Sequence, residues 1–454
     1  MHADREELRP DHRVGLPGDR PPALRPRARR RHRRGSRRAR ETQEGRGIAR
    51  TGKPIGGSFV IDLIDLRRRL HRTPELALHL PKTRELVMET LEPLGLVVHT
   101  SDRCSSLAVV IPGAGPGPTV LLRADMDGLP VAEESGEEFA SVNGNMHACG
   151  HDLHMAGLVG AVHEVYRRRD EFRGTVLALF QPGEEGAGGA ELVISEKTHL
   201  VTGQTPIASY GVHVLSYVEA GMFFCREGTV MGAALVFDLE LLGRGGHAAR
   251  PHMALDPVST AALVVQAIQT FVAQNTSPAD PLVVTVGSLT AGTAANVIPS
   301  RALLKVCLRA TSRARAHHFY ARIQGIATAI AESYGLRLRA RTGPDLGATV
   351  SDADGAALVR GTARELFGAE RYRDLPVPEM LSEDFSLLLG ETGGAFVLVG
   401  AAMGSDPDTL PTNHSPDVRF DDSVVPDVAR LLAELAIRKL NTTPDAGDER
   451  ISSR

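Results

Sequence analysis

The sequence predicts an α/β protein, a mostly parallel sheet covered by helices on both faces and interrupted by an inserted ferredoxin-like α+β domain. Three observations carry this. Short, nearly continuous apolar runs (TVLLRAD, TVLALFQP, IASYGVHV and later AFVLVGA) alternate with amphipathic stretches, the pattern of strands buried on both faces of a parallel sheet. Residues from about 230 to 342 read strand, helix, strand, strand, helix, strand, the split βαβ order. A length of 454 residues is too much for one ordinary core, so more than one domain is expected. The expected limits are a tail over 1–57, a first part of the parallel-sheet domain over 58–229, an insertion over 230–342 of the kind that can act as a lid or dimer surface, and a second part of the sheet domain over 343–445.

The elements follow in order. Residues 1 to 50 hold 16 Arg and 7 acidic groups, a net +9, whereas the rest of the chain carries −12. A run such as RPRARRRHRRGSRRAR could touch an acidic surface, but with Pro and Gly interleaved and few apolar residues it is expected to stay disordered. Nucleic acid is not expected as a partner. LIDLRRRLHRTPEL and the segment ending LEPLGL show helical spacing of apolar residues. The runs SLAVVIPG and TVLLRAD read as strands, and HDLHMAGLVGAVHEVYRRRD reads as a long helix with Asp152 as its cap. The chain ends on a helix, DDSVVPDVARLLAELAIRKL.

Composition excludes several classes. Hydrophobic residues make up 42% and charged residues 24%, and no apolar stretch approaches the ~18 residues of a membrane helix. Four cysteines, Cys104, Cys149, Cys225 and Cys307, lack the spacing of a disulfide framework. With no apolar secretory stretch at the start, a cytoplasmic location is expected.

Chemistry concentrates after the apolar runs. Cys149 and His151 stand in MHACGHDLH, Glu184 and Glu185 follow one strand, His213 is expected to end another, and His414 lies in the loop after AFVLVGA. In open parallel sheets the carboxyl ends of strands converge on the ligand site. Singly, each residue has a plainer reading: a buried Cys is a small hydrophobe, a His packs, and paired carboxylates mark a solvated turn. Together, a Cys, three His and two Glu at one sheet edge leave costly unpaired groups unless a cation is present.

The motifs RADMDGLP, MHACGHDLHMA, FQPGEEG, GVHV, GRGGHAARPH, TAANVIP, MLSEDFS and NHSP resemble those of the M20 metallopeptidase family. The resemblance covers roughly residues 60 to 440 and points to its amidohydrolase branch of hippurate hydrolases, N-acyl-amino-acid deacylases and indoleacetyl-amino-acid hydrolases. It implies that Cys149, His151, Glu185, His213 and His414 hold two divalent ions, Zn or Mn, with Co or Ni also compatible with these donors. It leaves Glu184 as general base. Related branches carry His-x-Asp where this chain has Arg123-Ala124-Asp125, so Cys149 marks the branch.

The same resemblance implies that His247 and Asn296 of the insertion bind the oxyanion, in the partner subunit's site of a homodimer joined through the lid. Arg309 would pair with the carboxylate of a small N-acyl amino acid substrate. By the residues alone, Asn296 could close a turn and Arg309 be an ordinary strand-end charge. Asp125 and Asp127 are expected to orient a His or to cap; His154 lines the pocket or packs; Glu383 and Asp384 support the site in an undefined way. His79, Leu80 and Asn413 depart from the family pattern. Two alternatives stand beside a metal amidohydrolase, namely a non-catalytic metal- or ligand-binding protein retaining the fold, and catalysis with Cys149 as nucleophile.

Overall fold

A computed structural model describes residues 61–442 apart from 278, 407 and 408. The expected tail over 1–57 lies outside the described residues. The chain opens with helices α1 (Leu63–His71) and α2 (Pro81–Leu91), then strands β1 (Val97–Thr100), β2 (Leu107–Pro112) and β3 (Thr119–Asp125). After a long loop come α3 (His151–Arg167), β4 (Thr175–Gln181), α4 (Gly189–Ser195), β5 (Ala208–Glu219), β6 (Phe223–Cys225) and β7 (Gly228–Met231).

The next stretch holds β8 (Ala233–Leu242), β9 (Gly246–His247), α5 (Pro257–Asn275), β10 (Leu282–Ala291), β11 (Val297–Ile298), β12 (Arg301–Ala310), α6 (Arg313–Ser333) and β13 (Arg337–Leu346). The chain returns through β14 (Thr349–Ser351), α7 (Ala353–Phe367), β15 (Tyr372–Asp374), α8 (Phe385–Thr392) and β16 (Gly394–Ala402) to α9 (Val425–Thr442).

The eight-stranded sheet runs β1-β2-β4-β3-β5-β16-β6-β15. Its centre, β4-β3-β5-β16, is parallel, and antiparallel pairs lie outside it. Every residue of β3 and of β16 is buried, as expected for central strands covered on both faces. On one face α3 and α9 pack in a core that includes Leu158, Val162, Val428 and Leu432. On the other, Leu121, Leu179, Phe385 and Phe396 form a second cluster with α8.

Four antiparallel strands in the order β10-β12-β8-β13 form the second sheet. Helices α5 and α6 supply Val264, Ile268, Phe319 and Ile323 to a core against one of its faces. This is the ferredoxin-like arrangement that the element order predicted. Strand β13 continues to Leu346, past the sequence-based limit at residue 342. The register shifts between Thr342 and Asp345, and pairing with β8 resumes at Asp345 and Leu346, so the Gly-Pro step is a bulge inside the strand. The short pair β7 and β14 joins the chain's exit from the large sheet to its return. No helix among the described residues is long and apolar enough to cross a membrane.

Helix α3 starts differently from the expectation. Its N-cap is Gly150 at φ 83°, with no side-chain cap, and a Cβ there would lie 2.3 Å from Val214 Cγ2. Glycine thus lets the loop reach the left-handed region and close onto β5. Asp152 sits in the first turn instead, fully buried, ion-paired to Arg67 Nε at 2.8 Å and bonded to His71 Nδ1 at 2.8 Å. The ion pair ties α1 to the N-terminus of α3 while leaving Arg67 Nη1 and Asp152 Oδ1 without hydrogen-bond partners, so it fixes geometry at a cost in desolvation. Further along α3, a Cβ on Gly160 would lie 2.6 Å from both Ala429 Cβ and Leu63 Cδ1. Gly160→Val is therefore expected to destabilise the fold by about 1–3 kcal/mol through overpacking, read as a lower denaturation midpoint at unchanged m-value.

Candidate metal centre

Strands β3 and β4 stop at Asp125 and Gln181. The loops beyond them carry Cys149 and His151 to the start of α3, and Glu184 and Glu185 beside it. His213 lies within β5, which runs on to Glu219, rather than at a strand end. The reason is one-sided pairing: β3 leaves β5 at Gly211, while β16 stays paired to it through Leu215 and, after a register shift, again at Glu219. Beyond Gly211 the edge facing β3 is free, and there the Val214 N–H donates to His154 Nε2 at 2.9 Å. His414 arrives from the loop after β16 with φ 74°, a left-handed conformation that costs energy outside glycine. Its N–H donates to the Ala148 carbonyl at 2.8 Å.

These residues meet. Cys149 Sγ lies 3.3 Å from His213 Nε2 and 3.2 Å from His414 Nε2. Glu185 Oε1 lies 3.3 Å from His414 Nε2 and 3.8 Å from His151 Nε2. Three sets of side chains have their donor atoms within 4.8 Å of one another: Cys149, His151 and His213; Cys149, Glu185 and His414; His151, Glu184 and Glu185. Cys149 belongs to two of them.

The tautomers are fixed from behind. His151 Nδ1 bonds the Asp127 carbonyl at 2.8 Å and His213 Nδ1 the Val214 carbonyl at 2.9 Å; each Nδ1 is therefore the donor, and each Nε2 lone pair faces the cluster. His151 Nε2 and Glu185 Oε1 are buried with no hydrogen-bond partner. Orphaned acceptors of this kind are costly unless a cation takes their lone pairs, so the donor set fits a metal.

The electrostatics agree. Burial pushes the Cys149 thiol well up, and Glu185 and Glu184 add to it. Burial alone would lower His151, but the charges of Asp125, Glu185 and Asp127 raise it to about 9. Glu184 is held well above the usual carboxylate range by burial and by the nearby Glu383 and Glu185. Glu185 is lowered, its burial outweighed by the His414 and His151 imidazoles that face it. Such a concentration of buried negative charge attracts a cation, and a cation's own charge inverts this local pKa order.

The supporting groups now have assignments. Asp127, with its carboxyl raised to about 6 by burial, accepts from both the Glu184 and Glu185 N–H groups at 2.9 and 3.1 Å. His154 packs: Nδ1 meets Asp125 Oδ1 at 2.6 Å while Nε2 serves β5. Arg123, 1% exposed, bridges Asp125 at 2.8 Å with Asp384 and Glu383, each at 2.9 Å. Gln181 Nε2 donates to Asp384 at 2.8 Å. Glu184, Glu383 and Asp384 form a further acidic set within 4.8 Å. Asn413 holds the last loop in place, accepting from Ser216 N at 3.0 Å and donating to the Val214 carbonyl at 3.0 Å. Sequence reasoning treated Arg123 only as a branch marker and passed over Gln181. The available signal was a charged or amide residue at the buried end of an apolar strand.

The insertion residues separate into two kinds. His247 ends β9 and Asn296 directly precedes β11, where the register sets Val297 opposite His247 and Ala248 N donates to the Asn296 carbonyl at 3.1 Å. Both are solvent-exposed. Among the described residues no hydrogen bond or ion pair joins either of them to the Cys149 cluster. Arg309, half-buried on β12, donates from Nη1 to Ser382 Oγ, next to Glu383.

Residues 121–438 match the model of peptidase family M20/M25/M40. The chain belongs to that family. The chain is 32% identical to IAA-amino acid hydrolase ILR1-like 2 of Arabidopsis thaliana, over 85% of this chain and 87% of that protein. It is 30% identical to an N-acetyl-L-cysteine deacetylase of Bacillus subtilis, over 85% and 89% respectively. Among solved structures, a dinuclear metal-binding peptidase of the M20 family from Bacillus subtilis superposes with a TM-score of 0.71 at 27% identity, covering 84% of this chain and 98% of that one. This M20 protein is a metal-dependent hydrolase of carbon–nitrogen bonds. Because Asp127 holds both peptide N–H groups of the Glu184–Glu185 turn, Asp127→Ala is expected to weaken metal binding by about 10- to 100-fold, measured by competition with a chromogenic chelator.

Proposed function

We propose that this M20 hydrolase is a binuclear amidohydrolase that cleaves N-acyl or aryl-acyl amino acids, or small dipeptides, to a carboxylate and an amine. The observation that carries the reading is that Cys149 Sγ is common to two donor sets, with His151 and His213 on one side and Glu185 and His414 on the other. These five residues would hold two divalent ions, with thiolate favouring Zn and the imidazole and carboxylate donors also admitting Mn, Co or Ni. When bound, such ions supply Lewis acidity, polarising the scissile carbonyl and making water acidic enough to deprotonate near neutrality.

The chain's own residues supply the rest. Glu184, buried beside His151 and Glu185, is placed to take the proton of the attacking water and to return it to the departing amine. Arg309, anchored on Ser382, would bind the substrate's carboxylate through its planar fork. His247 at the end of β9 and Asn296 just before β11, both exposed, would stabilise the oxyanion from the partner subunit of a homodimer. The names of the relatives favour an amide between an acyl group and an amino acid.

A Cys149 nucleophile is disfavoured, because its Sγ is shared by two donor sets, where a bound cation would hold the thiolate as a ligand and leave it no free lone pair for attack. A purely binding role is disfavoured by the retention of Glu184 beside the donor sets.

Glu184→Ala is expected to retain two equivalents of metal while turnover of N-benzoyl and N-acetyl amino acids drops by roughly 10²- to 10⁴-fold; unchanged turnover would remove Glu184 from the mechanism. Arg309→Ala is expected to raise KM for an N-acyl amino acid by about 10- to 100-fold, the worth of a charge-assisted hydrogen bond, and to leave KM for the corresponding amino acid amide nearly unchanged.

A further inference from the structure

The ferredoxin-like sheet has one face covered by α5 and α6 and one without them. On β12, Ala302, Leu304, Val306, Leu308 and Ala310 all belong to the covered core, so strand alternation turns Arg301, Lys305 and Arg309 to the opposite face. On β13, Leu338 and Ala340 pack toward the helices, which turns Arg337, Arg339 and Arg341 the same way. The printed register sets these residues in rows across β8. Arg337 and Arg301 flank Leu242, Arg341 and Lys305 flank Asp238, and Arg339 lies opposite Glu240.

Six cations therefore share a face on which β8 contributes two acids. Arg339 Nη1 lies 3.1 Å from Glu240 Oε2, and Arg301 Nη1 lies 3.9 Å from Glu240 Oε1. Arg337, Arg341 and Lys305 are exposed and make no ion pair among the described residues. This excess of positive charge is local, since the chain after residue 50 carries −12. Unpaired cations repel one another at a cost that an anionic ligand would remove.

The face leads to the candidate active centre. Arg309 stands at its lower end, opposite Ala234, and bonds Ser382 beside Glu383, whose carboxylate lies within 4.8 Å of that of Glu184. From the level of Arg309 to that of Lys305 is about 13 Å along the strand, and to Arg301 about 26 Å, at ~3.3 Å per residue. An extended chain of roughly four to eight residues spans the same length.

We infer that this open sheet face is a binding surface for an extended acidic peptide running toward the metal centre. The inference deepens the proposed amide hydrolysis by naming a class of substrate whose amine side is an acidic chain. A nucleic acid would be attracted by the same charge, but the apolar positions of the face on β8, β12 and β10 are Val236, Leu242, Leu303, Cys307 and Val283, with no aromatic ring for bases to stack on. The continuity with Arg309 and Glu184 also favours a ligand that carries amide bonds.

The test is fluorescence anisotropy of a labelled hexaglutamate with the full-length, metal-loaded protein and with the triple variant R337Q/R339Q/R341Q. The expected result is binding that weakens steeply as salt rises, at least about ten-fold weaker in the triple variant, while both proteins hydrolyse a short N-acyl amino acid at the same rate. A second variant on the neighbouring strand, R301Q/K305Q, is expected to weaken binding in the same sense. Equal affinity of both variants and the unsubstituted chain would overturn the inference. So would tighter binding of a single-stranded oligonucleotide of equal charge. If the unsubstituted protein hydrolyses no N-acyl amino acid yet binds hexaglutamate through this face, the amidohydrolase reading fails and the docking surface stands.

Discussion

Everything at the carboxyl edge of the large sheet depends on one buried guanidinium. Asp125, Glu383 and Asp384 are carboxylates with almost no access to water, and isolated charges there would be prohibitive. Arg123 reaches all three from the middle of β3, and Gln181 and the Ala190 N–H share Asp384 with it. One guanidinium offsets one of these charges, and burial raises the Glu383 carboxyl to about 8. Asp125, held low despite burial by the charges of His151 and Arg123, can fix His154, and His154 can occupy the open edge of β5 next to His213. The loop bearing Glu383 is held at the same time against Glu184. One residue thus ties the donor side of the centre to the side that bears the base.

A second constraint is the narrow approach between the loop before α3 and β5. Gly150 permits it, and Cys149 is delivered there between His213 and His414. Backbone carbonyls of Asp127 and Val214 then fix which imidazole nitrogen faces inward. The strained φ of His414 is stabilised by its bond to Ala148 and by Asn413, so the last donor is held by the same segment that supplies the first. The orphaned atoms of His151 and Glu185 are what such a preorganised cage presents before a cation is counted.

Much of the fold was legible in the chain. Apolar runs of five to eight residues separated by helical periodicity indicate a buried sheet, because only strands covered twice are apolar throughout. The βαββαβ order of the insertion could be read for the same reason. Local reasoning misjudged three places. Asp152 has the chemistry of a cap, but it is paired with Arg67 and His71 of α1. His213 has the look of a strand-end residue, because one-sided pairing leaves no mark in sequence. The limit at residue 342 falls inside β13, because the strand bulges and resumes pairing with β8 at Asp345.

By itself the sequence determined the family, the plan of a helix-covered sheet with an inserted domain and the set of side chains able to meet a metal, since donor type and position after apolar runs are local properties. Only the tertiary structure decided which donors share Cys149, which nitrogens face inward, and that Arg123 bridges the acids around them. It also decided that the arginines of β12 and β13 fall on one face. Those outcomes depend on register, burial and contacts between segments distant along the chain, which no local pattern of residues encodes.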